Sequence, residues 1–257
     1  RVHRLEWVKR MLIDQILRGQ HATPLGRVDW AYALSVASRD EPDRRSYRYD
    51  YEPPSASSGD PGGFRMYDRP EGNQRFFSAM DDLGHDAKLA WTVPLTDARR
   101  ADAPDEPTRS IKLGARFTRR ERESTTHRFR FLDRLGELGV DPATRRAVLG
   151  ANPNTTLGAE SLANGWFELR DNTQPTDSYT GSETVAAAYA MGEADLPWGL
   201  RAMAGLRVEY GEVSVITQRP FATGNDTLES APSSTDLLPA ATLTWALSDA
   251  MQLRAGF

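Results

Sequence analysis

Strict alternation of apolar with polar or small residues recurs along most of this chain. A period of two sends one set of side chains to each face of an extended strand, so a chain built this way folds into sheets. Val28, Trp30, Tyr32, Leu34 and Val36 form one such set against Asp29, Ala31, Ala33 and Ser35. Ala87, Leu89, Trp91, Val93 and Leu95 form a second, and Ile111, Leu113, Ala115 and Phe117 a third. Further runs are Val185, Ala187, Tyr189 and Met191, then Ala202, Ala204, Leu206, Val208 and Tyr210. The last two are Ala241, Leu243, Trp245 and Leu247, and Met251, Leu253, Ala255 and Phe257. The first segment is ambiguous. Leu5, Val8, Leu12 and Ile16 fit a helix, which is the favoured reading, whereas Met11, Ile13 and Leu17 against Arg10, Asp14 and Arg18 fit a strand.

Alternation alone does not separate a soluble β-sandwich from a membrane barrel, because both have one apolar and one polar face. Connection lengths favour the barrel. Short links fall near 21–26, 96–109, 192–199 and 248–250, and long loops near 40–73, 132–176 and 218–234, in strict succession. Loops beyond ~12–15 residues are unusual in compact soluble domains. Outer-membrane barrels have short periplasmic turns and long extracellular loops. Within the second long loop, Asp141 as cap, Pro142 in the first turn and Gly150 as a stop predict a short helix. Trp30, Trp91, Tyr189, Trp198 and Trp245 cluster near the short-link ends, as an interfacial aromatic girdle requires.

Composition narrows the classes. No run approaches the ~18 apolar residues of a membrane helix, and mean hydropathy is -0.58, which an alternating membrane strand tolerates. The absence of cysteine excludes disulfides, zinc ribbons and thiol nucleophiles. A net charge of -4, with arginines scattered along the chain, gives no basic footprint for nucleic acid. The phosphate-, dinucleotide-, zinc- and serine-nucleophile signatures are missing, so no catalytic residue or enzymatic activity is expected. Asp81, Asp82, His85 and Asp86 have metal-ligand chemistry but sit where a loop returns to a strand, and the expectation is that they are solvated. Neither a metal nor another cofactor is expected.

Several stretches carry a family resemblance: QILRGQH (15–21) leading to VDWAYALSVASRDEPD (28–43), RFFSAMDD (75–82), AWTVPL (90–95), TDSYTGSETVAAAYAM (176–191), LRAMAGLRVEY (200–210) and LLPAATLTWALSDAMQLRAGF (237–257). In order and spacing they resemble the barrel region of TonB-dependent outer-membrane receptors. The resemblance implies an all-β, antiparallel transmembrane β-barrel, of which residues 1–257 supply a partial barrel of about seven or eight strands. Barrels of this family close with about twenty-two strands, and its plug domain and TonB-contact segment are absent from these residues. The chain is therefore expected to be an internal fragment of a longer one, Phe257 being a cut.

The resemblance further implies a monomer in the outer membrane of a Gram-negative bacterium, with the lipid bilayer, its own plug and, through the plug, TonB as partners. Its cargo would be a scarce ligand such as a siderophore, cobalamin or an oligosaccharide. Inward-facing Arg116, Arg201, Arg207, Glu209 and Arg254 would line the lumen, contacting the plug and pairing charges between strands. The candidate ligand residues are Arg44, Arg45, Tyr47, Arg48, Tyr49 and Tyr51, an alternating cationic and aromatic run, with Trp166 and Phe167 as a second wall. Arginine forks bind anions bidentately, and tyrosine rings stack on flat ligands. Two alternatives stay open: a soluble or surface β-sandwich that binds carbohydrate, and a small self-contained outer-membrane barrel.

Overall fold

In a computed structural model, which describes residues 1–57, 59–67, 72–100, 106–218, 226–248 and 250–257, the chain forms one antiparallel sheet of twelve strands. They are β1 (Val2–Leu5), β2 (Lys9–Thr23), β3 (Gly26–Glu52), β4 (Gly63–Met66), β5 (Gln74–Pro94), β6 (Arg109–Asp133), β7 (Phe167–Asp171), β8 (Tyr179–Leu196), β9 (Leu200–Gln218), β10 (Thr227–Ser230), β11 (Ser233–Ser248) and β12 (Met251–Gly256). Short strands continue the line of long ones: β1 and β2 flank the same edge of β3, β4 and β5 the other edge, β7 and β8 both flank β6, and β10 and β11 both flank β9. The sheet thus has eight columns, each next to its sequence neighbour.

The first segment is a strand. Lys9 to Thr23 pairs residue for residue with Asp40 to Gly26. Its helix-like spacing arises because Leu12 and Ile16, opposite Ala37 and Ala33, lie on the face also occupied by Asp14 and Arg18. Tertiary pairing overrides the local pattern. The chain reverses through Pro24 and Leu25, and Gly26 takes φ 128°, a backbone state open to glycine without a Cβ clash.

Links at one end are short: Pro24–Leu25, a single 3₁₀ turn at Pro197–Gly199, and residues 249–250. The link 95–108 is longer and is held by the bridge Arg99 to Pro107. Residues 101–105 and 249 of these links lie outside the described residues, as do 58 and 68–71 of the first long loop and 219–225 of the third. At the opposite end, residues 134–166 carry three short helices, α1 (Pro142–Gly150), α2 (Pro153–Thr156) and α3 (Ala159–Ala163). Asp141 caps α1 by accepting from the amides of Ala143 and Thr144, with Pro142 in the first turn as its spacing predicts. Gly150 closes the helix and Ala151 is the C-cap.

The core lies outside the band of apolar strands, beneath this helical insert. Tyr47, Tyr49, Met66, Phe131, Leu135, Leu149 and Phe167 pack together there, with Trp166 against them. No helix among the described residues is long and apolar enough to cross a membrane.

Candidate ligand-facing wall and mouth

Directly paired residues of antiparallel strands point to the same side, so the register assigns every side chain to a face. Val28, Trp91 and Leu113 share one face with Leu206, Val208 and Leu243. This outer face is apolar and open, Leu89 being 54% and Val208 45% exposed. Asp82, Asp86, Arg116 and Arg122 share the inner face, where Asp82, Thr92 and Ser110 are buried.

Arg116, Arg201, Arg207, Glu209 and Arg254 all fall on the inner face. Arg116 pairs with Asp86 at 2.8 Å, Arg122 with Asp82 at 2.8 Å and Arg201 with Asp195 at 2.9 Å. Arg207 pairs with Glu209 two residues along the same strand, and Arg254 donates to the Thr244 hydroxyl at 3.3 Å. Neighbouring columns are thereby cross-linked by charge on a wall that would otherwise repel apolar packing. At the short-link end, the almost buried Arg100 donates to Glu193 at 2.5 Å and Asp195 at 3.2 Å, clasping the 95–108 link to this wall.

The group Asp81, Asp82, His85 and Asp86 lies within β5, not at its mouth. Alternation sends Asp82 and Asp86 inward to arginines, and Asp81 and His85 outward, where the Tyr32 hydroxyl meets His85 Nδ1 at 2.8 Å. Among the described residues no cluster has the donors to hold a metal.

Among the aromatics, Trp30, Trp91 and Trp245 lie on the outer face, and Trp245 Nε1 donates to the carbonyl of Trp198, which stands 84% exposed in the 3₁₀ turn. Tyr189 departs from the girdle. It pairs with Gly114 and Arg207 on the inner face and lies over Gly114, where a Cβ would stand 2.4 Å from its ring. The outer positions of β8 are instead Ala186, Ala188, Ala190, Gly192 and Ala194. The larger apolar set of this strand points inward, and that inverts the face assigned from its alternation.

The run from Arg44 to Tyr51 belongs to β3 and does not form one patch. The register shifts between Glu41 and Arg44, after which Arg44 opposes Phe76 on the inner face and Arg45 opposes Arg75 on the outer. Arg45 and Arg75 both donate to Asp43, at 2.8 Å and 3.0 Å at their closest Nε contacts. Burial works against the Asp43 carboxylate, but the hydrogen bonds from Arg75 and Arg45 outweigh it and hold the pKa below the usual aspartate value. Tyr47 and Tyr49 are buried in the core under the insert, which pushes both phenols up, and the Tyr49 hydroxyl donates to the Ala151 carbonyl at 2.8 Å. Trp166 joins them in that core, so the two expected walls do meet, in a packed interior. Tyr51 stays open against Phe64.

On the inner side of this rim, sequence reasoning named Arg44 and Arg48 but missed Phe76, Tyr67 and Arg128. Arg44 lies over the Phe76 ring at 4.2 Å, and Arg128 approaches the same ring at 5.6 Å. Arg48 covers Tyr67 at 4.3 Å. Arginines on aromatic faces are a cation–π arrangement, and each of these also pairs with a carboxylate, Arg44 with Glu41 at 3.5 Å, Arg48 with Asp50 at 2.9 Å and Arg128 with Asp177. The alternating RFRF string at 128–131 carries the signal, because its arginines must share a face.

A family model described as TonB dependent receptor-like, beta-barrel matches residues 19–257. The chain belongs to this receptor-barrel family. Among solved structures, the TonB-dependent receptor barrel here is similar to the ferric-catecholate import receptor Fiu of E. coli K12, at 12% identity and a TM-score of 0.50, over 95% of this chain and 34% of that one. It is also similar to the siderophore receptor PiuA of Acinetobacter baumannii, at 10% identity and 0.47, over 95% and 31%. A third similar structure is the ferric citrate transporter FecA, at 12% and 0.42, over 91% and 28%. The receptor barrel therefore spans about a third of the length of these structures. No curated protein matches it.

Proposed function

We propose that this chain forms part of the wall and mouth of an outer-membrane receptor that takes up a scarce ligand and draws on TonB, through a plug domain inside the barrel, for the energy to release it inward. One observation carries this reading: the two faces of the sheet differ in chemistry, apolar and open outside, charge-paired inside. A wall of that kind separates lipid from an aqueous or plug-filled lumen. Arg116, Arg201, Arg207, Glu209 and Arg254 then face the plug.

Ligand contact belongs to the inner rim, where Arg44, Arg48 and Arg128 lie on aromatic rings and an anionic ligand would share them with Glu41, Asp50 and Asp177. This favours an anionic or aromatic cargo, such as a ferric siderophore, over an uncharged oligosaccharide. The test is growth of a deletion strain with ferric siderophores, cobalamin or oligosaccharides as the limiting nutrient. Loss of growth on one of them, reproduced by deleting TonB and restored by the intact gene, is the expected result. Uptake that continues without TonB overturns the energy coupling, and loss confined to oligosaccharides overturns the anionic assignment.

A further inference from the structure

The outer face of the receptor barrel is not evenly covered. On β8 its outward positions are alanines and glycine from Ala186 to Ala194. The next column continues the pattern with Ala202 and Ala204. Taller side chains flank this floor, Ile111 and Leu113 on one side and Leu206 and Val208 on the other. The result is a groove, with a recess of about 710 Å³ at the short-link end and one of about 570 Å³ further along. A Cβ built on Gly192 meets no atom within 4 Å, so the floor is open to an occupant.

Position and charge identify the occupant. From Ala194 to Ala186 the floor rises eight residues, which at ~3.3 Å each and ~45° tilt is about 19 Å of height, slightly more than one ~15 Å leaflet. It starts at the short-link end beside Arg109, which points outward in register with Ala194 and lines the lower recess. Arg109 is exposed and has no ion-pair partner among the described residues. Among the described strand residues beside it, Glu193, Asp195 and Arg201 face inward, Glu193 being held by Arg100. A long apolar slot about one leaflet deep, ending in a guanidinium without an ion-pair partner among the described residues, has the chemistry of an acyl chain joined to a phosphate.

We propose that this groove is a binding site for a glycerophospholipid of the leaflet at the short-link side, with one acyl chain along β8 and its phosphate on Arg109. The site rests on the membrane-embedded barrel proposed above.

The test uses the full-length receptor carrying this chain, equilibrated with phosphatidylethanolamine and phosphatidylglycerol vesicles, solubilised and examined by native mass spectrometry. One phospholipid per receptor is expected to be retained. Gly192→Leu, and separately Ala204→Leu, fill the groove and should lower retention at least five-fold. Arg109→Gln should lower it by a similar factor while leaving the groove intact. Equal retention in wild type and both filled variants overturns the site, and unchanged retention in Arg109→Gln overturns the phosphate contact. Retention of lipopolysaccharide in place of phospholipid overturns the leaflet. Heat-modifiable migration of the same samples reports barrel folding; a wild type without it overturns the embedded barrel instead, and only variants that show it are compared.

Discussion

Asp43 is the point where one carboxylate holds two arginines from different strands, Arg45 of β3 and Arg75 of β5. Its lowered pKa has a definite sign in stability. A carboxylate more acidic in the folded state contributes stability above the unfolded value of about 3.9 and loses it as pH falls through the folded value. In the full-length receptor, Asp43→Asn should therefore melt below wild type at neutral pH, with the gap closing below about pH 4; a constant gap would place the effect elsewhere. Alternation makes a second residue-scale prediction. Leu206 and Leu243 face outward, and an arginine at either place would meet lipid at a cost of about 2–4 kcal/mol near the midplane. Both variants should accumulate unassembled, seen as loss of the heat-modifiable band, whereas arginine at inward Thr242 should be tolerated. Tyr189 shows where this kind of legibility stops. Its strand alternates as clearly as β3, but bulky residues face inward and alanines outward, so choosing the outer set by size selects the wrong face. Only the pairing of Tyr189 with Gly114, 75 positions away in sequence, decides the matter.

Among elements, the helical insert is the part whose stability rests on a conventional core. Leu135 is fully buried between the insert and the upper strands. Leu135→Ala should cost about 2–5 kcal/mol locally. Because the apolar band of the strands lies elsewhere, the expected readout is faster proteolysis and hydrogen exchange over 134–166 with an unchanged barrel band. Loss of both together would show that the insert and the wall fold as one unit. The α1 helix was legible from Asp141 and Pro142, since caps act over three or four residues. The register shift at Glu41 was not, because a bulge leaves no alternation of its own and reverses the parity of everything beyond it. For that reason it is Arg44 and not Arg45 that faces inward, and the inner rim of Arg44, Phe76 and Arg128 emerges only from the pairing.

For the whole molecule, the sheet has two open edges, on β1 and β2 at one side and on β12 at the other, and it carries a broad apolar outer face. Unpaired strand edges and large exposed apolar patches drive association. These 257 residues expressed alone are therefore expected to sediment as aggregates without detergent and to lack a cooperative melt. A monodisperse species with a sharp transition would favour the soluble β-sandwich reading instead.

The interruption at Glu6–Val8 in the first column stands opposite the shift at Glu41–Arg44 in the second, so two neighbouring columns yield at the same height. Bulges bend strands and increase their twist. Below that height the bore is tied to strand number and tilt; above it the wall is free to splay. In the uptake receptor proposed above, capture and passage would thereby have separate diameters, and the upper wall could diversify toward new cargo while the conduit beneath kept its gauge.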